Sequence, residues 1–258
     1  LVSVRELSKS YVTRTREVVR ALDPITLDVA ENEFLVLVGP SGCGKSTLLK
    51  MVAGLVPATT GTIRIRDTLV SGPREDVGIA FQAPVLLHWR NVLDNVLFPI
   101  EVLRRDVERH RPIARDLIRL VGLAGFETKH PRELSGGMQQ RVAICRALIH
   151  DPALLLMDEP FGALDALTRE EMGFELLRIW EERRKTIVFV THSISEAVSL
   201  GDRVVVMSSR PGRIERIITV KLPRPRTMAM ESTREFREHA DEIRGLIFGS
   251  RRSSVAAC

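Results

Sequence analysis

The sequence predicts an α/β fold: a largely parallel sheet with intervening helices, an N-terminal antiparallel β subdomain and an inserted helical subdomain. Three observations predict it. Short unbroken apolar runs rich in Val, Leu and Ile occur at Phe34–Val38 and at residues 79–81, 153–157, 186–190 and 204–207, as in strands buried on both faces. Helical patterns lie between them, at residues 137–149, 167–184 and Ile194–Leu200, which is strand–helix alternation. A Gly-rich turn follows the first run and leads into a helix beginning near Lys45.

The other elements follow in chain order. Residues 27–29 and 62–66 alternate as short strands of the antiparallel subdomain. Residues from about 84 to 134 have helical spacing and no strong strand, notably Ile113, Leu117, Ile118 and Val121, and form the helical insertion. Leu222-Pro223-Arg224-Pro225-Arg226 is a linker, because two prolines interrupt regular structure. Phe236, Ile243, Leu246 and Ile247 mark one more helix. The expected organisation is one domain over residues 1–220 and a linker with a helical tail over 221–258.

Composition excludes several classes. With 258 residues, 44% hydrophobic and 28% charged, the chain is neither disordered nor a disulfide miniprotein. The longest stretches without Asp, Glu, Lys or Arg are 13 residues, short of the roughly 20 that a spanning helix needs. No basic stretch followed by an apolar run opens the chain, so no signal peptide is expected. Cys43, Cys145 and Cys258 are odd in number and far apart, so a reduced compartment is expected. The net charge of +5 comes from 32 Arg and six Lys against 33 acids. No aromatics interleave with the basic residues on a strand, and no nucleic-acid partner is expected.

Gly39-Pro40-Ser41-Gly42-Cys43-Gly44-Lys45-Ser46-Thr47 fits G-x-x-x-x-G-K-[ST] in its proper strand–turn–helix context. Glycines let backbone N–H groups curl round phosphate oxygens, and the helix start adds positive partial charge. Lys45 places a cation on the phosphates and the Ser46 hydroxyl is a Mg²⁺ ligand. Residues 154–157 form an apolar strand ending in Asp158 and Glu159. Beside a phosphate loop, Asp158 is placed to hold Mg²⁺ and Glu159 to act as general base on water. Ser135, Gly136 and Gly137 precede a further helix and make a second anion-binding helix start.

These motifs, in this order, resemble the nucleotide-binding subunits of ABC transporters, from residue 3 to about 220. The resemblance implies an ABC-type P-loop NTPase core binding ATP and Mg²⁺. It makes Gly39–Ser46 the Walker A loop, residues 154–158 the Walker B strand and Glu159 the catalytic glutamate. Residues 134–139 become the signature, with Met138 at a variable position and Ser135, Gly136, Gly137 and Gln139 acting in trans. Gln82 becomes the Q-loop glutamine and a Mg²⁺ neighbour, Asp165 the D-loop aspartate of dimer communication, His192 the switch histidine and Tyr11 the adenine-stacking aromatic. Taken alone, Tyr11 would be core, Gln82 a polar strand end, His192 a solvated histidine and Asp165 a helix cap. Cys43, inside the loop, would be small-residue packing.

Residues 81–96, with Leu86-Leu87-His88-Trp89-Arg90 and Val92-Leu93-Asp94-Asn95-Val96, resemble ATPases of nitrate, sulfonate and taurine importers. The resemblance implies a homodimer of nucleotide-binding subunits on the cytoplasmic face of the inner membrane. It would bind transmembrane permease subunits, fed indirectly by an extracytoplasmic solute-binding protein. The patch with Trp89 and Arg90 suits a helix of a membrane partner; Trp89 as core of the helical insertion is the other reading. His88 departs from the usual proline, and Ser193 from the acid that often follows the switch histidine. A soluble ABC ATPase of the iron–sulfur assembly type is the alternative, and it lacks the pattern at residues 87–96. A P-loop kinase would lack the signature.

Overall fold

The computed structural model describes residues 1–162 and 164–255. The chain forms two compact units: residues 1–74 with the chain from residue 186 onward, and Glu75–Lys185.

The first unit opens with β1 (Val2–Val12) and β2 (Val18–Val29), followed by β3 (Phe34–Val38) and α1 (Lys45–Val52). It continues with β4 (Thr60–Ile65) and β5 (Thr68–Leu69). β2, β1, β4 and β5 pair in that order as an antiparallel sheet. The opening strands are longer than residues 27–29 alone suggest. β1 alternates Ser and Arg with Val and Leu, and its register slips at the bulge carrying Glu6 (φ 44°). β2 includes Pro24, which an edge strand accommodates.

In the second unit come β6 (Val77–Ala80), α2 (Val92–Val102), α3 (Val107–Leu120), α4 (Gly136–Leu148), β7 (Leu154–Asp158) and α5 (Ala166–Arg183). β6 and β7 are parallel, in register from Val77–Leu154 to Ala80–Met157. α2, α3 and α4 pack on one another around Val96, Ile100, Ile118 and Ile144, all 1% exposed or less. Asn91 and Asp106 cap the first two of these helices through their side chains.

The first unit resumes with β8 (Thr186–Thr191), α6 (Ile194–Leu200), β9 (Arg203–Met207), β10 (Ile214–Thr219) and α7 (Arg234–Val255). β3 lies between β8 and β9 and is parallel to both, and all five of its residues are buried. That explains its unbroken apolar run. β10 joins β9 antiparallel at the edge; its exposed Glu215 and Arg216 hide it from a search for apolar runs. α7 buries Phe236, Ala240, Ile243 and Ile247 and packs on α6 and β9.

Ile118→Ala is expected to cost about 2–5 kcal/mol, since Ile118 is fully enclosed among α2, α3 and α4. Thermal denaturation checks this; an unchanged midpoint would contradict the packing described.

Candidate functional site

β3 delivers the chain to Gly39, and α1 begins six residues later. The start of α1 differs from those of α2–α6. Asn91, Asp106, Ser135, Asp165 and Ser193 each accept a hydrogen bond from a backbone N–H of their own first turn. Gly44, which caps α1, offers no side chain. Its φ of 100° suits glycine, and a Cβ there would meet Leu22 Cδ2 at 2.5 Å. The cap of α1 therefore supplies no side-chain acceptor to the N–H groups of this turn, and the helix dipole adds positive potential.

Lys45 is 5% exposed. Its Nζ donates to Gly39 O (2.8 Å) and Pro40 O (3.0 Å), with a longer contact of 3.7 Å to Cys43 Sγ. The cation is thereby fixed within the curl of residues 39–45. Cys43 is buried too. Arg210, from the β9–β10 loop, braces the outside by donating Nε to Gly42 O at 2.8 Å. Ser46 and Thr47 follow on α1, half-buried, while Ser41 is exposed.

Tyr11 stands on β1 opposite Val19 and is 43% exposed. Lys9 Nζ lies 4.9 Å from the ring centroid and donates to Pro57 O at 2.7 Å. The ring belongs to the surface rather than to the core.

In the second unit β7 is buried throughout and ends at Asp158, 4% exposed. Glu159 follows with φ 47°, a left-handed conformation uncommon for a residue with a side chain and frequent at functional sites. Gln82 Nε2 donates to Glu159 Oε2 at 3.1 Å. The chain around Gln82 is held from both sides by α4. Gln140, fully buried, donates Nε2 to Phe81 O at 2.9 Å. Arg146 donates to Pro84 O (2.7 Å) and Val85 O (2.8 Å). Beyond it, Asn95 is fully buried and fixes the next turn. Its Oδ1 accepts from Leu87 N (2.8 Å), and its Nδ2 donates to Leu87 O, Arg90 O and Asn91 O. That turn presents His88 and Trp89, the latter 74% exposed. Arg90 is tied back to Glu101 at 2.7 Å.

The same helix α4 begins at the second glycine pair. The Ser135 hydroxyl accepts from Met138 N at 3.3 Å and can still donate its own proton. Gly136 is exposed. Gly137 is closely approached, since a Cβ there would lie 2.8 Å from Leu164 Cδ2. Gln139 turns its amide inward, donating to Pro131 O (3.0 Å) and Leu134 O (3.3 Å). It thus shapes the loop before the helix. Asp165, next after Leu164, caps α5 by accepting from Thr168 N at 3.0 Å.

His192 is exposed just beyond β8, between two tethered neighbours. Thr191 Oγ1 bonds Glu196 Oε2, and Ser193 N donates to Thr191 Oγ1 at 3.0 Å. Ser193 Oγ accepts from Glu196 N at 3.3 Å and caps α6. The Ser193 departure has its physical account here, because Ser caps a helix about as well as an acid does.

In the second unit Gln82 and Asp158 offer amide and carboxylate oxygens, and in the first unit Ser46 offers a hydroxyl, all donor types a hard cation takes. Among the described residues no group of three His, Cys, Asp or Glu is placed to hold a metal.

The family model described as ABC transporter matches residues 22–162, over half of the chain. The chain belongs to the ABC transporter family. Within it, this ABC protein is an ATP-binding subunit. It is 43% identical to the aliphatic sulfonates import ATP-binding protein SsuB of Bacillus cereus, covering 92% of this chain and 93% of that one. It is 48% identical to the taurine import ATP-binding protein TauB of Burkholderia thailandensis, covering 81% and 80%. Among solved structures, a dimeric ATP-binding cassette in a post-hydrolysis state bound to ADP and Pi matches with a TM-score of 0.78. That cassette is 33% identical, with 86% of this chain and 100% of that chain covered.

Sequence reasoning missed Gln140, Arg146, Asn95 and Arg210. Each bonds to backbone carbonyl groups, at a distance in sequence for Gln140, Arg146 and Arg210 and within eight residues for Asn95, and residue type alone does not signal this. Gln140 offered the one hint, as a polar residue on the face of α4 shared with the buried Ala143, Ile144 and Ala147.

Thr168 N–H, bonded to the Asp165 carboxylate, holds it below the ordinary value of 3.8. A depressed carboxyl contributes stability that is present above its unfolded value and is lost as pH falls through its folded one. Asp165→Asn preserves a capping oxygen and removes that titration. Thermal melts across the acid range should therefore show a shallower loss below pH 3.8 in the variant; identical acid limbs would contradict the cap's role.

Proposed function

We propose that this subunit hydrolyses ATP to energise uptake of a small oxyanion or organosulfonate. The observation that carries the ATP chemistry is the start of α1. It lacks a side-chain cap and has Lys45 fixed at its head, so anionic phosphate oxygens meet the N–H donors of a helix start and a cation together. A phosphate oxygen offers Lys45 a stronger acceptor than Cys43 Sγ at 3.7 Å. Tyr11 offers an exposed ring for stacking on adenine.

Ser46, Gln82 and Asp158 would hold Mg²⁺, which neutralises phosphate charge when bound. Glu159 takes the proton of the attacking water as it adds to the γ-phosphorus, and the bond to the β-phosphate oxygen breaks. Gln82, bonded to the Glu159 carboxylate, sets its orientation. His192 donates to a γ-phosphate oxygen. Two copies meet head to tail, and the exposed turn at Ser135 and Gly136 binds the ATP held by the other copy.

The importer reading draws on the names of SsuB and TauB and on the exposed Trp89, which offers an aromatic anchor to a permease helix. No helix among the described residues is long and apolar enough to cross a membrane. In this reading the subunit attaches at the cytoplasmic face of the inner membrane through such permease subunits, with a solute-binding protein delivering cargo to them.

Glu159→Gln is expected to lower kcat by about 10²- to 10⁴-fold while ATP binding persists, and to elute as a stable dimer with ATP. Hydrolysis at the wild-type rate would overturn the assignment of the base. Affinity purification of the tagged subunit from detergent-solubilised membranes is expected to bring a multi-spanning permease with it. Recovery of soluble partners alone, with the subunit absent from membranes, would overturn the importer reading and leave the ATPase reading standing.

A further inference from the structure

The linker at residues 222–226 and the turn that follows it are fastened to α6. Arg226 is 6% exposed, although it carries a full charge. Its Nη1 donates to Val198 O (2.8 Å), Ser199 O (3.2 Å) and Gly201 O (2.7 Å). These carbonyls form the C-terminal end of α6, where a cation is also favoured by the helix dipole. Arg224 donates Nη2 to Leu200 O (2.9 Å) and to Asp202 Oδ1 (2.7 Å). Asp202 in turn accepts from Phe34 N, at the start of β3, at 2.9 Å. Glu231 closes the flank: its Oε1 accepts from both Ser195 Oγ (2.7 Å) and Ser199 Oγ (3.0 Å).

α6 is seven residues long, too short to be stable by itself. Its other end governs His192. Thr191 and Ser193 flank the histidine, and both are bonded to Glu196 of α6. Both neighbours of His192 are thus tied to α6, and α6 is held at its C-terminus and flank by residues 224–231.

We propose that Arg224, Arg226 and Glu231 form a positioning clamp for His192, acting through α6. The clamp rests on the reading of His192 as the group that bonds the γ-phosphate. It gives the chain beyond β10 a role in the rate of hydrolysis, although its residues touch no nucleotide. Loosening it displaces the imidazole and leaves the loop around Lys45, which holds the ground-state phosphates, in place. Misplacement of a reacting group is felt in turnover more than in binding.

Steady-state ATPase measurements on the full chain test this with Arg226→Met and, separately, Glu231→Gln, which leaves the buried arginine intact. Each is expected to lower kcat, Arg226→Met by about 10- to 100-fold and Glu231→Gln by less, with KM for ATP unchanged within about twofold. In a His192→Ala background neither change should lower kcat further. A normal kcat in both variants, beside a clear defect in His192→Ala, would overturn the clamp alone. Multiplicative losses in the double variants would overturn it as well, by showing that the clamp acts elsewhere. Wild-type kcat in His192→Ala would overturn the reading of the histidine and the clamp with it. If Arg226→Met fails to fold, Glu231→Gln and its double variant decide the matter.

Discussion

A helix whose cap carries no side chain must find acceptors for its first N–H groups elsewhere. At α1 the surrounding chain is arranged around that need. β3, buried along its whole length, fixes where the turn begins. Lys45 is held from within by Gly39 and Pro40, and Gly42 from outside by Arg210. Leu22 lies so close to Gly44 that no side chain fits there. The path of the turn is thus fixed by contacts from within the first unit. The starts of α2 to α6 meet the same need with their own Asn, Asp or Ser side chains.

The second unit shows how one helix can serve several functional segments. α4 starts at Ser135, reaches Phe81 through Gln140, and holds Pro84 and Val85 through Arg146. Gln82 lies within the stretch so held and reaches Glu159. These bonds join a side chain to backbone carbonyls, so they fix the path of the chain and leave exposed side chains free to vary. His88 departs from the usual proline at an exposed position, while the turn beneath it depends on Asn95.

Much of this was legible in the sequence. The buried strands announced themselves as apolar runs, and the phosphate loop by its glycines and lysine in a strand–turn–helix context. The long strands β1 and β2 were less visible, because bulges and a proline break their alternation. β10 was hidden by its charged edge residues. Of the site, the groups that would meet nucleotide could be named from motifs, whereas the groups that position them could not. Gln140, Asn95, Arg146 and Arg226 all act on backbone carbonyls. Any chain segment supplies these, so no pattern of side chains betrays the pairing. The exposure of Tyr11 and Trp89 likewise depends on what packs nearby, and only the fold supplies that.

The fully buried Asn95 has a mechanical consequence. Its four bonds weld the turn carrying Trp89 to the first turn of α2, and α2 packs along α4. A push on the indole therefore meets a stiff strut rather than a compliant loop. Pinned at Leu87, Arg90 and Asn91, the turn cannot bend without breaking those bonds.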